Sequence, residues 1–242
     1  MRHALNRILG AALASTPLTA RLLPPLRRWR QQQRAARLYA RYREFTMVSP
    51  PEFADTLALC AEYGWQPGLV VECGVWRGGM IAAMAEVLGP AHAYYLFDSF
   101  EGLPPADVIK DGPRAVAYQA NPTGARYFDN CRAEMGFAEA AMRLAAVPTV
   151  RFVKGWYRDT LPGFVPPARI AVLRLDADWY ESTRQCLQAL YPHVGRGGLI
   201  LIDDYYAWDG CARAVHEYLA RRDAQERIRE SPAGVAYVVK AT

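Results

Sequence analysis

Two apolar runs that end in carboxylates carry the strongest chemical signal in this chain. They are Ile170-Ala-Val-Leu-Arg-Leu-Asp176-Ala-Asp178-Trp-Tyr-Glu181 and Gly197-Gly-Leu-Ile-Leu-Ile-Asp203-Asp204-Tyr205. Each reads as a buried parallel strand that stops at acids, and ligands of open α/β sheets bind beyond the carboxyl ends of strands. Carboxylates gathered there repel one another unless a cation or protons neutralise them. Hard oxygen donors suit Mg²⁺, and no His or Cys cluster nearby favours a softer metal. The two runs therefore predict a divalent-metal site at the edge of an α/β sheet.

A second group of residues predicts an organic ligand. Glu72-Cys-Gly-Val-Trp-Arg-Gly-Gly79 lies where a strand turns into a helix, a place where bare backbone and helix N-terminal amides receive an anionic group. The spacing is not GxGxxG, so a pyrophosphate fits poorly and a nicotinamide-dependent oxidoreductase is disfavoured. Glu72 at the strand end suits an ammonium, so an amino acid headgroup satisfies both charges, its carboxylate on the helix amides. Asp98 ends the following strand in Leu-Phe-Asp98-Ser-Phe-Glu-Gly102, where nucleotide-binding α/β folds place the acid that holds ribose hydroxyls. Amino acid plus ribose is the outline of S-adenosylmethionine.

The elements that must position these groups follow from residue 50 onward, where short apolar runs alternate with helix-length segments, as βα units do. Pro50-Pro51-Glu52 opens a helix, and strands are expected at 69–72, 94–98, 150–153 and 170–176 and in the run ending at Asp203. Helices are expected through Leu88, from 127 to 146, briefly at 155–161, after Asp178 and from 210 to 222; segments 227–229 and 234–240 read as an edge pair closing the sheet. Residues 99–124, rich in Pro and Gly, read as a long irregular lid or binding loop.

The net charge of +5 conceals two unlike parts, because residues 1–43 hold ten Arg and no acid, leaving 19 basic residues against 24 acidic in the rest. A body of that sign is a poor partner for nucleic acid. The five Cys at 60, 73, 131, 186 and 211 are scattered and without CxxC spacing, which argues against disulfides or zinc and for a reducing, cytoplasmic setting. Within the arm, Ile8-Leu-Gly-Ala-Ala-Leu-Ala14 is short for a membrane span, and residues 27–45 read as a helix with repeated Arg. Three roles stay open for the arm: a solvated or self-associating helix, loose attachment to an anionic membrane surface, or a cleaved targeting peptide.

Six segments in order, Glu44-Phe-Thr-Met-Val48, Val71-Glu-Cys-Gly-Val-Trp-Arg-Gly-Gly79, Leu96-Phe-Asp-Ser-Phe-Glu-Gly102, Phe152-Val-Lys-Gly-Trp156 with Asp159-Thr-Leu-Pro162, residues 173–183 and residues 197–205, give the chain a family likeness. It resembles the macrocin O-methyltransferase family, S-adenosylmethionine-dependent sugar O-methyltransferases of macrolide and aminocoumarin pathways. The resemblance implies a class I methyltransferase fold: a mostly parallel seven-stranded sheet with helices on both faces and an antiparallel last strand. It divides the chain into a basic helical arm, 1–45, and a methyltransferase domain, 46–242. Matched by position, it implies a cofactor pocket from Glu72, Cys73, Gly74, Val75, Trp76, Gly78, Asp98, Ser99, Gly155, Trp156 and Tyr157, and a Mg²⁺ site from Asp176, Asp203 and Asp204. The expected acceptor is a hydroxyl of a small molecule, foremost a sugar on a glycosylated natural product, and Asp176 or Asp178 would take its proton. The arm and residues 105–142 follow no family pattern.

Asp178 has a second reading, since it precedes Glu181 by three residues as the N-cap of a capping box does. Trp179 reads as packing or as a sugar platform, and His193 and His216 as surface or cap residues. The rival of another class is a non-catalytic binding protein attached through its basic arm to a membrane or partner.

Overall fold

The computed structural model describes residues 17–125 and 127–241, with side chains from residue 29 onward. The apolar stretch at 8–14 lies outside the described residues.

Five consecutive strands run parallel, joined by crossover connections: β1 Leu69–Cys73, β2 Ala93–Asp98, β3 Val150–Lys154, β4 Ile170–Leu175 and β5 Val194–Ile202. Two short strands, β6 Arg229–Glu230 and β7 Ala236–Val239, pair antiparallel beside β5. The order across the seven-stranded sheet is β3-β2-β1-β4-β5-β7-β6, with β1 and β4 at its centre. Both central strands are buried along their whole length, as unbroken apolar runs require. This is the expected α/β architecture with its antiparallel edge.

Alternate side chains divide the core between the two faces of the sheet. On one face Val70, Leu96, Val172 and Leu201 pack with helices α1 (Pro17–Tyr42), α2 (Pro50–Tyr63), α3 (Gly79–Leu88) and α5 (Met135–Ala145). The short helix α4 (Gly112–Gln119) precedes α5. On the other face Val71, Phe97, Leu173 and Ile202 pack with α7 (Tyr180–Leu190) and α8 (Asp209–Arg221), while the single turn α6 (Tyr157–Thr160) follows β3. Helix α2 opens at Pro50 as expected, and it starts with a capping box in which Ser49 and Glu52 cap each other's backbone.

The basic helix is not wholly solvated, because Ala35, Leu38 and Tyr42 are buried against the domain. Tyr42 donates to Glu86 Oε1 at 2.6 Å, and Arg41 reaches both Glu86 and the Leu144 carbonyl. Arg30 and Arg37 face solvent.

Two expectations about the region after β2 are corrected. Residues 99–124 are not irregular throughout, since they contain α4. The helix expected from 127 begins only at Met135. The reason is local: Asp129, Asn130 and Cys131 adopt positive φ in a tight turn, and the Asn130 side chain is spent fastening the lid. Its Nδ2 donates to the Leu103 carbonyl at 2.8 Å and its Oδ1 accepts from Gln119.

Candidate active site

The strand ends meet because the backbone ladder continues past them: Gly74 donates to the Phe97 carbonyl, Asp176 to that of Cys73, and Asp203 to that of Leu175, at 2.8–2.9 Å. Gly74, at φ +88°, has its own constraint, since a Cβ there would lie 1.6 Å from the Asp176 carbonyl oxygen. The turn after β1 and the acids after β4 are thereby pressed together.

Above them opens a cavity of about 700 Å³. Of the expected cofactor residues, Glu72, Gly74, Val75, Trp76, Asp98, Ser99, Gly155, Trp156 and Tyr157 line it; so do Asp176, Asp178, Asp203 and Asp204. Cys73 and Gly78 do not. Cys73 is turned into the opposite core with Cys186, and Gly78 forms the left-handed entry to α3 against Ala138. The roof comes from the lid, including Pro104 and Tyr118, and the rim from Phe45 to Val48 at the end of the arm.

One buried cation organises the acids. Arg174, paired in register with Glu72, donates through Nη1 to Glu72 Oε1 (2.9 Å) and Asp176 Oδ2 (2.7 Å), and through Nη2 to Asp203 Oδ1 (2.5 Å). Glu72 Oε2 is buried without a partner, the position an incoming ammonium would satisfy. Burial pushes the Glu72 carboxyl up to about 8, against the pull of Arg174.

A second group of oxygens lies beside this one. Carboxylate oxygens of Asp176, Asp178 and Asp204 all come within 4.8 Å of one another, the spacing and donor chemistry that a hard divalent cation fits. Gathered together and buried, they take up protons more readily than free carboxylates. Burial pushes Asp176 up to about 6 and Asp178 up to about 8, the charges of Asp203 and Asp176 respectively adding to it, and burial lifts Asp204 well above the carboxylate range. The expected ligand set named Asp203 where the structure clusters Asp178; Asp203 lies beside them with one oxygen on Arg174.

Three sequence readings change here. Asp178 is not a helix cap: it sits at φ +53°, the N-cap position belongs to Trp179, and Glu181 binds Arg184 and Gln185 instead. The Tyr180 amide of α7 is capped from the lid by Asp111 Oδ1 at 2.6 Å. Trp179 is core packing rather than a sugar platform, 1% exposed with its indole N–H on the Pro104 carbonyl. The turn amides of Val75 and Trp76 are not open to an anion, because both donate to Asp98 Oδ2 at 2.7 and 2.9 Å, while Asp98 Oδ1 accepts from Phe100. His216 meets Tyr205 on the surface of α8, away from these acids.

Sequence reasoning missed Arg174, Trp208 and Asp111. Arg174 had a signal, a lone charge inside an apolar strand, which is uncommon unless paired. Trp208, which lines the cavity and donates to Asp178 Oδ1 at 3.0 Å, had none.

A profile of macrocin O-methyltransferases (TylF) matches residues 55–237. The chain belongs to the macrocin O-methyltransferase family. Membership places it among O-methyltransferases. It is similar to the 8-demethyl-8-(2,3-dimethoxy-alpha-L-rhamnosyl)-tetracenomycin-C 4'-O-methyltransferase of Streptomyces olivaceus, 38% identical over 188 residues that span 73% of this chain and 68% of that enzyme. The demethyldecarbamoylnovobiocin O-methyltransferase of Streptomyces niveus is 37% identical over 67% of this chain and 62% of its own length. The chain thus spans about two thirds of the curated relatives it matches. Among solved structures the O-methyltransferase NovP superposes with a TM-score of 0.69 at 29% identity, covering 82% of this chain and 83% of that one. The SAH-bound Podospora anserina methyltransferase PaMTH1 shares the fold at a TM-score of 0.53 and 14% identity, over 86% of this chain and 88% of its own. Among the described residues of this O-methyltransferase, no helix is long and apolar enough to cross a membrane.

Proposed function

We propose that this family member transfers the methyl group of S-adenosylmethionine to a hydroxyl of a glycosylated small molecule, with Mg²⁺ held by the strand-end aspartates. The observation that carries the reading is the convergence of Asp176, Asp178 and Asp204 beside Glu72 in one cavity. The tetracenomycin 4'-O-methyltransferase is named for a rhamnosyl-bearing compound, which supports a sugar hydroxyl as acceptor.

A sugar hydroxyl ionises far above neutral pH, so it needs both a stabilised anion and a base. Bound Mg²⁺ would supply Lewis acidity that lowers the hydroxyl pKa. Asp176, Asp203 and Asp204 are the proposed ligands: Asp176 and Asp204 already share the cluster, and Arg174 occupies only one Asp203 oxygen. Asp178 then accepts the proton. The indole N–H of Trp208 favours its charged, proton-accepting form against the upward push of burial. Glu72 holds the ammonium of the methyl donor through its unpartnered Oε2. Asp98 holds the loop that carries Gly74 and so shapes the donor pocket.

The test is methyl transfer from radiolabelled S-adenosylmethionine to a panel of glycosylated metabolites, with Mg²⁺ and with excess EDTA. Product formed only with metal supports the reading. Equal turnover in EDTA, or full activity in Asp204→Ala, rejects it.

A further inference from the structure

The proposed donor end and metal end of the cavity share one buried side chain, Arg174. Arg174 is 2% exposed, and its guanidinium spans from Glu72 Oε1 to Asp176 Oδ2 on one nitrogen and to Asp203 Oδ1 on the other. Glu72 belongs to β1, Asp176 follows β4 and Asp203 follows β5, so the fork ties three adjacent strands at their carboxyl ends. Each of the three carboxylates has one oxygen turned to the guanidinium and the second available elsewhere; for Glu72 that second oxygen is the buried atom without a partner.

We propose that Arg174 is a positioning residue: one planar guanidinium fixes Glu72 relative to Asp176 and Asp203, so that donor-binding and metal-binding carboxylates are held at a single spacing. This inference rests on the reading of the site as a methyl-donor and metal pocket. Planarity matters, because methyl transfer needs the donor carbon and the acceptor oxygen within a narrow range of distance and angle. A lysine in its place would bring the charge as a point, without the planar fork whose one nitrogen engages Glu72 and Asp176 and whose other engages Asp203. Partners that orient metal ligands are worth about 10- to 100-fold in metal affinity.

The test uses the full chain with Arg174→Lys, its folding checked by circular dichroism, and reads binding by calorimetry with S-adenosylhomocysteine and, separately, with Mn²⁺ as the metal probe. Both affinities are expected to fall by about 10-fold, because one guanidinium holds the carboxylates at both ends. Wild-type affinity for either ligand in the folded variant overturns the proposal, because mere charge balance is rescued by lysine. If Arg174→Lys does not fold, Glu72→Gln decides. It loosens one anchor of the fork, and Mn²⁺ affinity is expected to fall more than in Asp98→Asn, whose carboxylate bonds the amides of Val75, Trp76 and Phe100 instead. Equal Mn²⁺ affinities in those two variants overturn it. A wild-type protein that binds neither S-adenosylhomocysteine nor Mn²⁺ would instead reject the functional reading beneath.

Discussion

The indole N–H of Trp208 donates to Asp178 Oδ1 at 3.0 Å, and this bond keeps an acid that immediately precedes a helix turned into the cavity rather than onto the helix end. Asp178 pays for that orientation with a left-handed backbone, and α7 takes its cap from Asp111 in the lid. A side chain held this way, half-buried beside Asp176 and Asp204, is placed to take a proton.

Replacing Asp178 with Asn removes the proposed proton acceptor while keeping size and the bond from Trp208. The turnover number is expected to fall by about 100-fold or more, the range assigned to a general base. Affinity for S-adenosylhomocysteine should stay near wild type, since Glu72 and not Asp178 is the proposed donor contact. Single-turnover methyl transfer and calorimetry measure the two. A variant with wild-type turnover would remove Asp178 from the chemistry.

Trp208→Phe keeps the ring and deletes the donor. The indole bond favours the charged form of Asp178, lowering its carboxyl against the upward push of burial. Without it that carboxyl moves higher, so the acid limb of kcat/KM is expected to shift to more alkaline pH while the plateau above it remains. An unchanged or more acidic limb contradicts the assignment of Asp178 as the ionising group.

How far the sequence reached depends on the distance between partners. Asp176, Asp203 and Asp204 were legible because each ends an apolar run, and the period of a buried strand locates its carboxyl end without knowledge of its neighbours. Glu72 and Gly74 were legible for the same reason. The bond from Val75 and Trp76 to Asp98 closes over more than twenty residues, and Asp111 caps α7 across 69. Such contacts leave no local pattern, so the bonds from Asp98 to the turn amides were not foreseen and Asp178 was left between a helix cap and a catalytic acid. Helix α4 was hidden in turn-rich sequence, and the start of α5 was masked by the turn at Asn130, whose side chain serves the lid.

The acids also set how stability responds to pH. In the metal-free protein the carboxyls of Asp176 and Asp178 lie at about 6 and about 8, above their unfolded values near 3.8. The folded state then binds more protons than the unfolded chain between those limits, so these groups lower stability as pH rises through that window. Melting temperature in EDTA is expected to fall from pH 5 to pH 8 relative to the Asp178→Asn variant. If Mg²⁺ binds the ionised carboxylates of the folded chain as proposed, it should stabilise more at pH 8 than at pH 5. Thermal melts across that range read both effects, and a Mg²⁺ effect that is larger at pH 5 would contradict the cation site.

Asp111→Ala should loosen the lid without touching the donor pocket. The Asp111 carboxylate is buried and accepts from the Tyr180 amide at 2.6 Å and the Asp107 amide at 2.8 Å, so one side chain closes the lid turn and caps α7 together. Loss of a cap of this kind costs about 1 kcal/mol. The remaining ties, Trp179 and Gln119 on the Pro104 carbonyl and Asn130 on that of Leu103, keep the segment in place but not its far end. Amide exchange is therefore expected to quicken most at residues 107–119 and in the first turn of α7, and the acceptor KM to rise, while S-adenosylhomocysteine affinity holds. Exchange confined to the α7 turn would show that Asp111 serves the helix alone and that other contacts hold the lid.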